Sequence, residues 1–140
     1  MRGPVAAVLG GLLASVLGTA LHPHILYLGD AGVPLGAAAA LVLSCAVAVF
    51  AGLWARSALW SAAVGVLTYV VLGLFSLDLG DTPLIITGTS AAEQPPVVAA
   101  GQIWLFGQAV VTVAAVLITA RVLARTRAGR NTGTAGPPTA

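Results

Sequence analysis

Two histidines separated by one proline, His22-Pro23-His24, close the first long apolar run of the chain. The carboxylates Asp30, Asp78, Asp81 and Glu93 all lie outside the apolar runs. Imidazole and carboxylate together are the donor set of a divalent-cation site, or of a group that titrates with external pH. The spacing argues against a metal: two His around a Pro match no zinc pattern, and the carboxylates are scattered through Gly- and Pro-bearing loops. The pair reads instead as a cap at the membrane surface, and no metal is expected. The single cysteine, Cys45, sits inside an apolar run, which excludes an intramolecular disulfide and a cysteine metal motif.

A second set of chemically capable side chains lies within the apolar runs at similar depth: Ser44, Thr68, Tyr69, Gln108 and Thr112. Hydroxyls and amides in that position either bond between helices, worth about 0.6 kcal/mol each, or line a path for a polar cargo. The first role is the expectation and the second its alternative. No Gly-rich phosphate loop follows a strand, and neither a Gly-x-Ser-x-Gly elbow nor a His-Glu-x-x-His motif occurs. No catalytic residue, no cofactor and no enzymatic activity are therefore expected.

The elements that must position these groups are set by composition. Of 140 residues, 59% are hydrophobic and 7% charged, against about 25% charged in soluble domains. The apolar residues form runs at about 4–21, 34–53, 58–77 and 97–120, each near the roughly 20 residues a spanning helix needs. The fold class expected is all-α: a polytopic membrane protein built as a four-helix bundle, followed by a basic, disordered tail over 121–140. An alternative treats Met1–Ala20 as a cleaved signal peptide, with an early Arg, an apolar core and small residues near its end.

Charge orients the bundle. Arg2 precedes the first run, Arg56 separates the second from the third, and Arg121, Arg125, Arg127 and Arg130 follow the fourth, whereas the carboxylates occupy the two remaining connections. Positively charged connections stay in the cytoplasm, so these six arginines set a topology with both termini inside. A plasma-membrane location follows, with the bilayer as the first partner and a homo-oligomer or larger membrane complex as the second. The arginines mark orientation and headgroup contact rather than nucleic acid, which is not expected as a partner.

Helices in lipid associate through close contact of small residues, because apolar contact alone gains little over contact with lipid tails. The second run carries Gly36, Ala40, Ser44, Ala48 and Gly52 as an i to i+4 ridge, and the first carries Ala7, Gly11, Ala14 and Gly18 in one stripe. Ser61, Gly65 and Thr68 share a side of the third, and Gly101, Trp104, Gln108, Thr112, Ala115 and Thr119 share a side of the fourth. All these faces are expected inside. The outer segment Leu84–Thr89 is apolar enough to lie in the interface, to form a short strand or to cover the outer end of the bundle.

Short Ala-, Gly- and Val-rich spans, Arg without Lys, and an acidic second outer loop ending before Gly101-Gln102-Ile103-Trp104 give the chain a resemblance. It resembles small uncharacterised four-helix integral membrane proteins of actinobacteria. That resemblance implies a membrane location and supplies no catalytic or binding residues. The function expected is that of a non-enzymatic accessory or structural subunit of a membrane complex, with a small channel or transporter using the midplane polar face as the alternative.

Overall fold

The computed structural model describes residues 2–77, 84–89 and 94–133. Asp78, Asp81, Glu93 and the tail 134–140 lie outside the described residues, as does the side chain of Arg130. The chain runs α1 (Arg2–Leu21), β1 (Leu26–Leu28), β2 (Ala31–Val33), α2 (Leu35–Trp54), α3 (Ala58–Ser76) and α4 (Pro96–Gly133). All four helices are long and apolar enough to cross a membrane, and the molecule is a multi-pass, all-α bundle. Their bounds match the sequence-predicted spans within a residue or two, except at the end of α4.

That end differs. The sequence reading closes the fourth span near Ala120 and leaves the rest disordered, whereas α4 continues to Gly133, 38 residues in all. Ala, Leu and Arg are strong helix formers, so Arg121-Val122-Leu123-Ala124-Arg125 carries the helix on after hydrophobicity has run out. At about 1.5 Å per residue the whole helix exceeds a hydrocarbon core of about 30 Å, and its basic end stands clear of it.

The turn between α2 and α3 is compact. Arg56 N–H donates to Leu53 O at 3.1 Å and Ser57 N–H to Gly52 O at 2.9 Å, the paired bonds of a Schellman cap. Arg56 itself takes φ +53°. Ser57 then caps α3, its hydroxyl accepting from Leu59 N–H at 3.3 Å.

Between α1 and α2 the sequence reading gives only a loop; the structure places a hairpin there, pairing Leu26 with Val33 and Leu28 with Ala31. Gly29, at φ +66°, allows its two-residue turn. Gly32 lies directly on the Pro96 ring that opens α4, where proline costs no helical hydrogen bond. The segment at Leu84–Thr89 forms no strand. It folds onto the bundle: Leu84 N–H donates to Phe75 O at 3.1 Å, Gln102 Nε2 to Thr87 O at 3.0 Å, and Ile85 is buried.

Small residues bring the helices together as the sequence reading expects. Every member of the α2 ridge, Gly36, Ala40, Ser44, Ala48 and Gly52, is buried, as are Ala7, Gly11, Ala14 and Gly18 of α1. A β-carbon added at Gly11 would run into Leu67, at Gly52 into Thr119 and Ser61, and at Gly65 into Thr112. The apolar interior divides in two. Ala6, Ala7, Ala48, Ala51, Val64 and Ala115 fill the arginine end, and Ala37, Ala40, Leu72, Ile85, Ala100 and Trp104 fill the hairpin end.

Candidate functional site

A polar layer lies between those two clusters. Gly11 faces Leu67, Gly107 faces Leu41, and Gly65 faces Thr112; these contacts put Ser44, Thr68, Gln108 and Thr112 at similar depth. Ser44, Thr68 and Gln108 are buried. Thr68 Oγ1 donates to Val64 O at 2.9 Å within its own helix and lies 3.3 Å from Gly11 O across the α1–α3 contact. Gly11 therefore serves twice, since its missing side chain lets the hydroxyl reach a backbone carbonyl of another helix. Thr112 Oγ1 donates to Gln108 O at 2.7 Å within α4, while Ser44 Oγ and Gln108 Oε1 are buried with no hydrogen-bond partner.

Tyr69 does not join the layer. It stands one position past Thr68 and is turned out of the bundle, 41% exposed. Together with Gly65, Val66, Val70, Ala109 and Thr112 it lines a lateral groove of about 280 Å³ between α3 and α4. The five residues expected as one layer thus separate into a buried set (Ser44, Thr68, Gln108) and a groove-lining pair (Tyr69, Thr112). The reason is the 100° step of the helix: Thr68 and Tyr69 are adjacent and cannot share a narrow face.

Two polar contacts between helices escape the sequence reading as pairs. Thr119 Oγ1 donates to Ser61 Oγ at 3.4 Å, joining α4 to α3 near the arginine end. Trp104 Nε1 donates to Thr19 Oγ1 at 3.4 Å, joining α4 to α1 near the hairpin end. Both use residues that face inward by periodicity, but their partners are 58 and 85 positions away, a separation that no local pattern reveals.

At the hairpin end, His22 Nδ1 donates to Thr19 O at 2.6 Å and His24 Nδ1 to Leu21 O at 2.9 Å. The His22 imidazole takes up a carbonyl of the last turn of α1, and the His24 imidazole adds to the bond its own N–H makes to Leu21 O at 3.1 Å, so the pair caps the helix. Burial holds the His22 pKa below its ordinary value; the Thr19 carbonyl opposes that shift and the neighbouring His24 adds to it. Asp30 sits exposed at the hairpin turn. Among the described residues, no three of His, Cys, Asp and Glu converge as a metal site would require.

At the opposite end the arginines gather. Arg2 and Arg56 line one cleft with Trp54 and Trp60, and Arg56 and Arg127 line another with Leu53, Val122, Leu123 and Thr126. Arg121 and Arg125 are exposed on the same extension of α4. The two Trp rings flank the α2–α3 turn, the position of amphipathic anchors at headgroup depth. No family model, no curated protein and no solved structure matches this chain.

Proposed function

We propose that the chain is a non-enzymatic structural or accessory subunit of a membrane complex, seated in the plasma membrane with both termini in the cytoplasm. The observation that carries this reading is Tyr69. Its ring lines an outward-facing groove at mid-bundle, where its hydroxyl has no hydrogen-bond partner among the described residues. A phenol facing hydrocarbon there lacks the water or protein acceptor it needs, and a neighbouring transmembrane helix would supply one. Gly65 and Ala109 in the same groove would let that helix approach closely. The interior supports the same reading, because glycines packed directly onto neighbouring side chains leave little room for a lumen.

A photo-crosslinking residue placed at Val70, exposed in the same groove, is expected in cells to trap a second membrane protein, or a second copy of this chain. The same residue at Val42, exposed on α2, is expected to trap lipid only. Tyr69→Phe should lower recovery of the trapped partner without changing the melting temperature. Equal crosslinking at the two positions would refute the groove as a docking face.

One observation favours the channel or transporter alternative: Ser44 Oγ and Gln108 Oε1 are buried acceptors left unused, as in a path that carries water or a polar cargo. Gln108→Leu separates the readings. For a structural amide whose oxygen has no bond to lose, stability changes by less than about 1 kcal/mol in either direction and liposome flux is unaffected. A selective loss of flux at unchanged stability would turn the assignment to transport.

Orientation rests on the arginines gathered at one end, by the positive-inside rule. Reporter fusions after Arg56 and after Arg130 should read cytoplasmic, and one near Glu93 external. An external reading at Arg130 would reverse the topology.

A further inference from the structure

Arg56 occupies the position after a helix C-cap where the backbone turns left-handed, φ +53°, a conformation in which glycine is far less strained than any residue with a side chain. The cap is closed by backbone bonds from Arg56 N–H and Ser57 N–H, so the turn makes no use of the guanidinium. Arg56 instead lines a cleft of about 550 Å³ together with Arg127 of α4, with Leu53, Val122 and Leu123 also in its walls. Two cationic side chains lining one cleft repel, weakly where water reaches them and more strongly against lipid, and an anion held between them turns that repulsion into attraction. Among the described residues neither has a carboxylate partner, and in sequence no Asp or Glu lies within 20 residues of either.

We propose that this cleft binds the phosphate of an anionic phospholipid, with Arg56 and Arg127 as its two clamps. The cleft matches such a molecule in chemistry: cationic donors for the phosphate, and apolar Leu53, Val122 and Leu123 for the glycerol and upper acyl carbons. It also matches in depth, because Trp54 and Trp60 in the adjoining cleft mark the interface. Guanidinium binds phosphate through paired, planar hydrogen bonds that an ammonium cannot reproduce. The site therefore differs from a diffuse positive surface, for which Lys and Arg are equivalent.

The test uses the full chain in neutral detergent, with phosphatidylglycerol or phosphatidylcholine added, and reads the thermal shift and the lipid retained in native mass spectra. Phosphatidylglycerol should be retained in preference to phosphatidylcholine and should raise the melting temperature. Arg127→Lys should weaken phosphatidylglycerol binding about tenfold, whereas Arg125→Lys, outside the cleft, should change it by less than about twofold. Arg56→Gly is the decisive variant: it relieves the left-handed backbone, so the lipid-free protein should melt no lower than the parent, yet the phosphatidylglycerol shift should disappear. Retention of that shift in both Arg56→Gly and Arg127→Lys would overturn the proposal. So would an equal loss in Arg125→Lys, which would indicate charge alone, or reproduction of the shift by inorganic phosphate, which would indicate a free-anion site.

Discussion

Leucine in place of Ala40 or Ala48 is expected to be among the most destabilising single changes in the molecule. Both alanines are buried in the middle of the α2 ridge, 0% and 2% exposed, and Ala40 belongs to the hairpin-end cluster as Ala48 does to the arginine-end one. The three added carbons have nowhere to go, because the helices already meet at distances set by glycine and alanine. Overpacking a well-filled core costs about 1–3 kcal/mol, and the upper end applies where α2 faces several neighbours at once. Lipid offers no compensating gain, since a leucine inside the bundle and one facing acyl chains are equally removed from water. Ala38→Leu is the control: it lies on the same helix but is exposed, and it should melt within about 0.5 kcal/mol of the parent. Denaturation in mixed detergent, followed by circular dichroism, measures all three. Indistinguishable transitions for Ala40→Leu, Ala48→Leu and Ala38→Leu would show that the ridge is not an interface.

Much of this arrangement is legible in the residues, and for physical reasons. Membrane spans announce themselves because a helix crossing hydrocarbon must be apolar over a fixed length, so Pro34 and Ala58 mark two starts to within one residue. The buried ridge is legible because small residues in register are what close helix contact requires, and Gly36 to Gly52 repeat at that interval. The end of α4 is hidden, since Arg-rich helix and Arg-rich coil look alike once hydropathy falls. The hairpin is hidden too, its strands being only three residues each, too short for alternation to register. In the polar set, depth could be read from position along each helix, but facing could not for neighbours such as Thr68 and Tyr69. The left-handed backbone at Arg56 has no signature in sequence at all, because glycine is the residue that normally signals it.

Trp104→Ala should be the costliest truncation. Trp104 is the largest fully buried side chain, and it fills the hairpin end of the bundle among Ala37, Ala40, Leu72, Ile85 and Ala100. Its ring lies directly over Gly18 of α1, where an added β-carbon would collide with it, and its Nε1 donates to Thr19 Oγ1 at 3.4 Å. In soluble cores such truncations cost about 3–5 kcal/mol, part of it transfer free energy and part the cavity left behind. In a bilayer the transfer part shrinks, because lipid can solvate what the ring leaves exposed. The cavity and the lost Thr19 bond remain, so a value near the lower limit, about 3 kcal/mol, is expected. The Gly18 contact gives a sharper test than the truncation alone. Gly18→Ala in the parent forces the ring to move and should be clearly destabilising, whereas in a Trp104→Ala background the added methyl enters vacated space and should be neutral or stabilising. Such a reversal is the non-additivity of residues in direct contact, with a coupling of about 0.5–3 kcal/mol. If Gly18→Ala cost the same in both backgrounds, α1 and α4 would not be meeting through this ring, and the hairpin end of the bundle would have to be packed another way.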